Sequence, residues 1–265
     1  MDHIAQLPVA AGWFSLTWVT ADTALVTEPH VGELLRAGIW YLRGRDRDLV
    51  VDSGNGVAPL TPYLARLSRT GRPREMVGLC THAHVDHIGG LHEFERRLLH
   101  PADRDLAAGV DDLASLAPAT WPARLLERLE EGGFVPPPVL VDAVPHMGFD
   151  PYAFRPTRTT PTHLVRGGDE IDLGGRRLTV VELPGHTPGS IGLLDHAERA
   201  LLAGDAVYDG RLIDTLPESD VDAYLGTMDA LRRLEVDVVY PGHGGPFDRA
   251  TLREIAERYL RERAG

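Results

Sequence analysis

Four side chains able to bind a metal fall within six residues in the stretch Thr81-His82-Ala83-His84-Val85-Asp86-His87-Ile88-Gly89-Gly90. The apolar run Met76-Val77-Gly78-Leu79-Cys80 before them reads as a short buried strand. Ile88, Leu91, Phe94 and Leu98 follow at helical spacing, so the cluster sits where a strand hands over to a helix. Alternate residues of an extended segment point the same way, and His82 and His84 can therefore grip one ion together. Asp86 and His87 come after the chain begins to turn and would face a second ion beside the first. Imidazole with a little carboxylate suits zinc, or another first-row metal, rather than calcium or magnesium. The plainer alternative is a polar turn with solvated histidines; the tight spacing and the Gly-Gly behind it favour the metal.

Three later turns each end an expected strand in a metal-capable residue beside glycine: Pro184-Gly185-His186, Ala203-Gly204-Asp205 and Pro241-Gly242-His243. Glycine lets backbone and side chain approach an ion closely. Each turn alone is more simply a loop. All three in this order, after the first cluster, make a strong joint signal.

The elements that must carry these turns fall into two similar blocks. In the first, residues 12–30 read as a strand, Trp13 to Val19, with a turn at Glu28-Pro29-His30. Ile39 to Arg43 and Leu49 to Asp52 pair across the charged turn Gly44 to Asp48, and residues 59–69 suit an amphipathic helix bearing Leu60, Leu64 and Leu67. In the second block, Asp169 to Leu173 and Leu178 to Glu182 form a hairpin about Gly174-Gly175. Ile191 to Leu194 and Ala200 to Ala203 read as further strands. Residues 221–234 form a helix, Val236 to Tyr240 a buried strand and 249–263 a closing helix. Between the blocks, residues 101–165 are rich in proline, with a helix expected at 122–131 and apolar residues beyond it. Such a connection is either a lid or pocket wall over a site, or a helical excursion packed on the surface.

The chain of 265 residues can bury a substantial core as one domain spanning 1–265. Its net charge of −12 argues against a general nucleic-acid or anionic-membrane binder. One cysteine, Cys80, permits no intrachain disulfide and fits a reducing, cytoplasmic setting; it reads as a small apolar residue at a strand end. Lysine is absent, and every basic residue other than histidine is arginine. The opening Met1-Asp2-His3-Ile4-Ala5-Gln6 lacks the basic start and apolar run of a signal peptide. No apolar stretch approaches about 18 residues, so no membrane span is expected. A small-molecule substrate is the expected partner, and a homodimer is compatible with these features.

With these turns in view, the chain resembles the metallo-β-lactamase-fold hydrolases over nearly its whole length. The family's motifs match at Asp52, at His82-His84-Asp86-His87, at His186, at Asp205 and at His243. The resemblance implies an α+β fold, a four-layer αββα sandwich of two face-to-face mixed sheets with helices outside. It further implies that His82, His84 and His186 hold one metal, that Asp86, His87 and His243 hold a second, and that Asp205 bridges them. Asp52 would stand behind the ligands and orient them. Two Zn2+ ions are the implied cofactors, with iron or manganese as alternatives. Two further stretches, Ile39-Trp40-Tyr41-Leu42-Arg43-Gly44 and Gly204-Asp205-Ala206-Val207-Tyr208-Asp209-Gly210-Arg211-Leu212-Ile213-Asp214, look like the members described as acyl-coenzyme A thioesterases.

The implied activity is hydrolysis of a thioester, acyl-coenzyme A among them, by hydroxide shared between two metals, with Asp86 and Asp205 as catalytic carboxylates and Asp86 handling the proton. Lactone, β-lactam and hydroxyacylglutathione hydrolysis are alternatives within the hydrolases. An iron-dependent persulfide dioxygenase is the alternative of another class. For substrate contacts the candidates are Arg155, Arg158 and Arg166, which face one nearby acid, Asp150, together with His146, His163 and Tyr208. The plainer reading of these arginines is a solvated surface. His3, His30, His92, His100 and His196 receive no role.

Overall fold

Strands whose every residue is apolar must be covered on both faces, and strand after strand of this chain reads that way. A computed structural model describes residues 7–67, 74–109 and 115–263. Seven strands lie side by side in sequence order: β1 (Ser15–Trp18), β2 (Thr23–Thr27), β3 (Ile39–Leu42), β4 (Asp48–Val51), β5 (Met76–Leu79), β6 (Arg96–Leu99) and β7 (His163–Leu164). A second, six-stranded sheet contains β8 (Glu170–Asp172), β9 (Arg177–Glu182), β10 (Ile191–Asp195), β11 (Ala200–Gly204), β12 (Val238–Pro241) and β13 (Phe247–Asp248), in the order β13-β12-β11-β10-β9-β8. Both sheets are mixed: β4-β5-β6-β7 and β11-β12 run parallel, and the remaining neighbours antiparallel.

Alternation along single strands assigns the layers. Trp40 and Leu42 of β3, with Leu49 and Val51 of β4, join Leu178, Val180, Ala200 and Leu202 of the other sheet in one buried cluster between the sheets. The intervening Ile39, Tyr41 and Val50 point the other way, into a cluster with Leu64, Ile88, Leu91 and Leu129. Leu201 and Ala203 of β11 likewise turn outward against Tyr224, Met228, Ile255 and Tyr259. The outer residues belong to α1 (Thr61–Ala65), α2 (Val85–Ile88), the 3-10 turn Leu91–Glu93 and α4 (Ala123–Glu131) on one side, and to α5 (Val221–Leu231) and α6 (Arg249–Arg263) on the other. A short α3 (Arg104–Ala108) follows β6. This is a helix–sheet–sheet–helix sandwich. Trp40 Nε1 donates to Pro241 O at 2.9 Å across the sheets. At another point Arg176 pairs with the buried Asp195, Nε to Oδ2 2.6 Å, and donates to Thr23 Oγ1 at 2.7 Å in the opposite sheet.

Two sequence expectations differ from the structure. The helix inferred from Ile88, Leu91, Phe94 and Leu98 is three elements: the four-residue α2, a 3-10 turn at Leu91–Glu93, and strand β6. Gly89 and Gly90 explain the break, because a β-carbon at Gly89 would collide with the Asn55 backbone and one at Gly90 would lie 2.5 Å from Ser53 O. The chain turns flat against that loop instead of continuing its helix; Ile88, Leu91 and Phe94 stay in the outer layer, and Leu98 is buried between the sheets. Residues 12–30 hold two antiparallel strands, β1 and β2, where one was read. Part of the helix expected over 59–69 appears as α1; residues 68–73 lie outside the described residues. Among the described residues no helix is long and apolar enough to cross a membrane.

Candidate metal centre

The turns of interest follow the ends of β4, β5, β9, β11 and β12, and strand direction brings them to one edge of the sandwich. His84 keeps an extended backbone (ψ 153°) as the residue before α2, so His82 and His84 still face together; Asp86 and His87 lie within the helix turn, and the His87 ring packs 4.1 Å from that of His82. His186, 102 residues away from His84, completes a trio: its Nε2 lies 2.9 Å from His84 Nδ1, and His82 Nε2 lies 3.1 Å from the same atom. Tetrahedral zinc with Zn–N bonds of 2.0–2.1 Å would separate ligand nitrogens by about 3.3 Å, so these spacings suit one small cation. Asp86, His87 and His243 form a neighbouring trio of donor atoms within 4.8 Å of one another. Asp205 stands between the trios. Its Oδ2 is 3.3 Å from His243 Nε2 and 3.7 Å from His186 Nε2, and its Oδ1 is 3.3 Å from His87 Nε2. Gly242 makes this approach feasible, since a β-carbon there would strike Asp205 Oδ1.

Two buried atoms test whether the donor set fits a cation. His87 Nε2 and Asp205 Oδ1 are both shielded from solvent and lack any hydrogen-bond partner. Orphaned buried polar atoms are costly, and a cation between them would satisfy both. Electrostatics agree. Burial holds the His186 imidazole down, to about 4, and pulls His82 well below the usual range, so both rings are neutral donors. At His87 and His243 burial opposes protonation, but Asp205 and Asp86 lift both rings, His243 to about 10. The pocket therefore favours positive charge on the Asp86–Asp205 side, and a proton occupies the role that a divalent cation could take.

Four of the five rings are also held from behind. Asp52, in a left-handed conformation (φ 63°) unusual for a non-glycine, accepts from Thr81 N at 2.7 Å and from Thr81 Oγ1 at 2.9 Å. Its Oδ2 also lies 2.9 Å from His87 Nδ1, leaving Nε2 to face the cluster. Thr81 Oγ1 is 3.1 Å from His82 Nδ1. His186 Nδ1 reaches Ile213 O at 2.8 Å, and His84 Nε2 reaches Glu218 Oε1 at 2.6 Å. Asp103, fully buried, ties two ligand turns together: it accepts from Ala83 N, between His82 and His84, and from Thr187 Oγ1 and Gly189 N, just after His186. Glu218 and Asp103 were not among the residues read from the sequence. Nothing in their spacing marks them: Glu218 acts across 134 residues, and Asp103 across 20 and 84.

Above the cluster opens an apolar cleft walled by Leu34, Leu35, Trp121, Leu125, Leu129 and Leu216, with His84, Asp86, His186, Asp205 and His243 at its floor. The 101–165 connection therefore contributes a wall of the cleft through Trp121 and α4. Tyr208 does not line it: its ring packs edge-on to His243 at 5.5 Å, and its hydroxyl donates to Arg211 O at 2.8 Å. Arg155, Arg158, Arg166, His146 and His163 are exposed on the surface, and none of them lines the cleft.

A sequence profile of the metallo-beta-lactamase superfamily matches residues 36–243. The chain belongs to this superfamily. Its likeness extends to proteins named acyl-coenzyme A thioesterase MBLAC2. The Bos taurus protein is 36% identical over 239 residues, covering 85% of this chain and 79% of that one. The Gallus gallus protein is 35% identical over 260 residues, covering 95% and 88%. Among solved structures, a metallo-beta-lactamase family protein of Thermus thermophilus aligns with TM-score 0.62 at 22% identity, covering 93% of this chain and 81% of that one. A metallo-beta-lactamase from Pontibacter korlensis aligns with TM-score 0.63 at 16% identity, covering 94% and 97%. The superfamily fold is thus the sandwich described above.

Proposed function

We propose that this hydrolase is a dinuclear metal-dependent thioesterase acting on acyl-coenzyme A. In this reading His82, His84 and His186 bind one cation, Asp86, His87 and His243 bind the second, and Asp205 is shared. The observation that carries it is the convergence of these seven side chains, from turns of both sheets, beneath an apolar cleft whose floor His84, Asp86, His186, Asp205 and His243 line. The names of the relatives support the thioester as substrate.

When bound, a pair of zinc ions, or of iron or manganese, supplies Lewis acidity and a water acidic enough to deprotonate near neutral pH. The chain's own residues do the rest. Buried His82 and His186 stay neutral and keep their lone pairs free. Asp86 is the carboxylate to which we assign transfer of the proton; burial opposes its charge, but His87 and His243 hold it below the usual carboxylate range. Leu34, Leu35, Trp121 and Leu125 exclude water from the acyl side of the thioester and bind its hydrocarbon.

His82→Ala and Asp205→Ala are expected to lose metal and acyl-CoA hydrolysis together. The assay pairs elemental analysis of protein purified without added metal with a substrate panel of acyl-CoA, a lactone, a β-lactam and a glutathione thioester. An alanine variant with full metal content and unimpaired hydrolysis would contradict the ligand assignment; turnover confined to another member of the panel would contradict the substrate.

A further inference from the structure

Histidine can present either ring nitrogen to a cation, and the hydrogen bond made by the other nitrogen decides which. In the first trio, His82 and His186 use Nε2 toward the centre, and His84 uses Nδ1. An Nδ1 donor sits close to its own backbone, so its Nε2 points outward. For His84 that direction is the cleft, where a ring without a partner could rotate away from the centre. Glu218 meets it there: Oε1 lies 2.6 Å from His84 Nε2. We infer that Glu218 is a positioning residue, whose carboxylate accepts the outer N–H of His84 and so aims the Nδ1 lone pair at the first cation. The inference rests on the metal-centre reading above and adds to it a residue outside the superfamily motifs.

The surroundings of Glu218 suit that task. It is carried on the segment between Ile213 and α5, and that segment is anchored at several points. Ser219 Oγ donates to His186 O at 2.9 Å, and Asp220 N donates to Gly185 O at 2.8 Å. The Asp220 carboxylate caps α5 by accepting from Ala223 N at 3.0 Å. Ile213 O meets His186 Nδ1 from the same segment. One stretch of chain therefore supports two of the three donors of the first trio from behind, and Glu218 supplies its only charged contact to them. The carboxylate side chain is 23% exposed, so it can hold its charge at the cleft wall. Its negative charge also offsets the positive character an imidazole gains on donating to a cation.

The test uses the full-length protein stripped of metal and titrated with Zn2+, and with Co2+ for its ligand-field spectrum. Glu218→Leu fills the same space in an apolar cleft but accepts no hydrogen bond; Glu218→Gln keeps an acceptor oxygen. Glu218→Leu is expected to weaken one of the two binding steps by roughly 10- to 100-fold and to alter the cobalt spectrum, with the metal-free melting temperature unchanged. Glu218→Gln should recover most of the affinity and the wild-type spectrum. Zn2+ binding by Glu218→Leu within threefold of wild type, with an unchanged cobalt spectrum, would overturn the inference while leaving the metal centre standing. Failure of the wild-type protein to bind either ion would instead overturn the metal-centre reading, and this inference with it.

Discussion

Asp103 offers the sharpest test of how the two halves of the site are joined. Its side chain is fully buried, and its two oxygens accept three hydrogen bonds: from Ala83 N at 2.9 Å, Thr187 Oγ1 at 2.8 Å and Gly189 N at 2.7 Å. Ala83 lies between His82 and His84, and Thr187 follows His186, so one carboxylate pins the turns that carry the whole first trio. Asp103→Ala would strand both backbone N–H groups, which have no second acceptor among the described residues. Thr187 Oγ1 would keep its neighbour Ser190 Oγ at 2.9 Å. Each orphaned N–H costs about 1–3 kcal/mol, so the variant should lose roughly 3–5 kcal/mol of stability, with water entering the vacated space favouring the lower figure. For a chain of this size that loss corresponds to a melting temperature lower by roughly 10 °C. Thr187→Val, which removes one of the three bonds, should cost about 1 kcal/mol. The assay is urea and thermal unfolding of the metal-free proteins, with Zn2+ titration of the same samples, where Asp103→Ala should also bind the first ion more weakly. A variant within about 0.5 kcal/mol of wild type and with full Zn2+ affinity would refute the claim that Asp103 joins the turns.

At the far side of the sandwich, Asp195→Ala leaves Arg176 buried against Asp22 and Thr23; urea unfolding should show a loss of about 3 kcal/mol, and a loss below about 1 kcal/mol would mean Glu198, 3.2 Å from the guanidinium, replaces it. Metal uptake should depend on pH with a definite sign. The His243 ring, held up to about 10 by Asp205 and Asp86 against the opposing effect of burial, is protonated at pH 7 in the metal-free protein and must release that proton to bind a cation. Zn2+ addition in weak buffer at pH 7 should therefore acidify the solution, and affinity should climb as pH rises toward about 10; uptake without proton release would count against His243 as a donor. In the cleft, Trp121→Ala and Leu129→Ala enlarge the apolar wall, so hydrolysis of longer acyl-CoAs should rise relative to shorter ones in a chain-length series. An unchanged length profile in both variants would remove α4 from the substrate site.

What could be read in advance divides along a physical line. The clustered residues were legible as a candidate donor set because the chemistry restricts residue type, and the glycine beside His186, Asp205 and His243 permits a close approach, as Gly242 does for Asp205. The sandwich was legible where strands such as Leu49-Val50-Val51 bury successive residues in different layers. Apolar spacing misled at Ile88, Leu91, Phe94 and Leu98 because it reports that residues are buried, not which dihedral angles bury them or which layer receives them. A helix turn, a 3-10 turn and a strand follow in succession, with Ile88, Leu91 and Phe94 in the outer layer and Leu98 of the strand between the sheets. The supporting groups were illegible for a different reason. Accepting an imidazole N–H asks only for an oxygen, and here it is met by a threonine hydroxyl, an aspartate, a glutamate and a backbone carbonyl. With so many residue types equivalent, the requirement leaves no mark on composition or spacing. The local excess of arginine over 145–168 fails as a guide on the same logic: charge at a sequence position says nothing of direction, and those side chains lie outside the cleft. Residues whose role is fixed by chemistry can thus be found from type and order, whereas residues whose role is to aim them become visible only once the turns of both sheets meet at one edge.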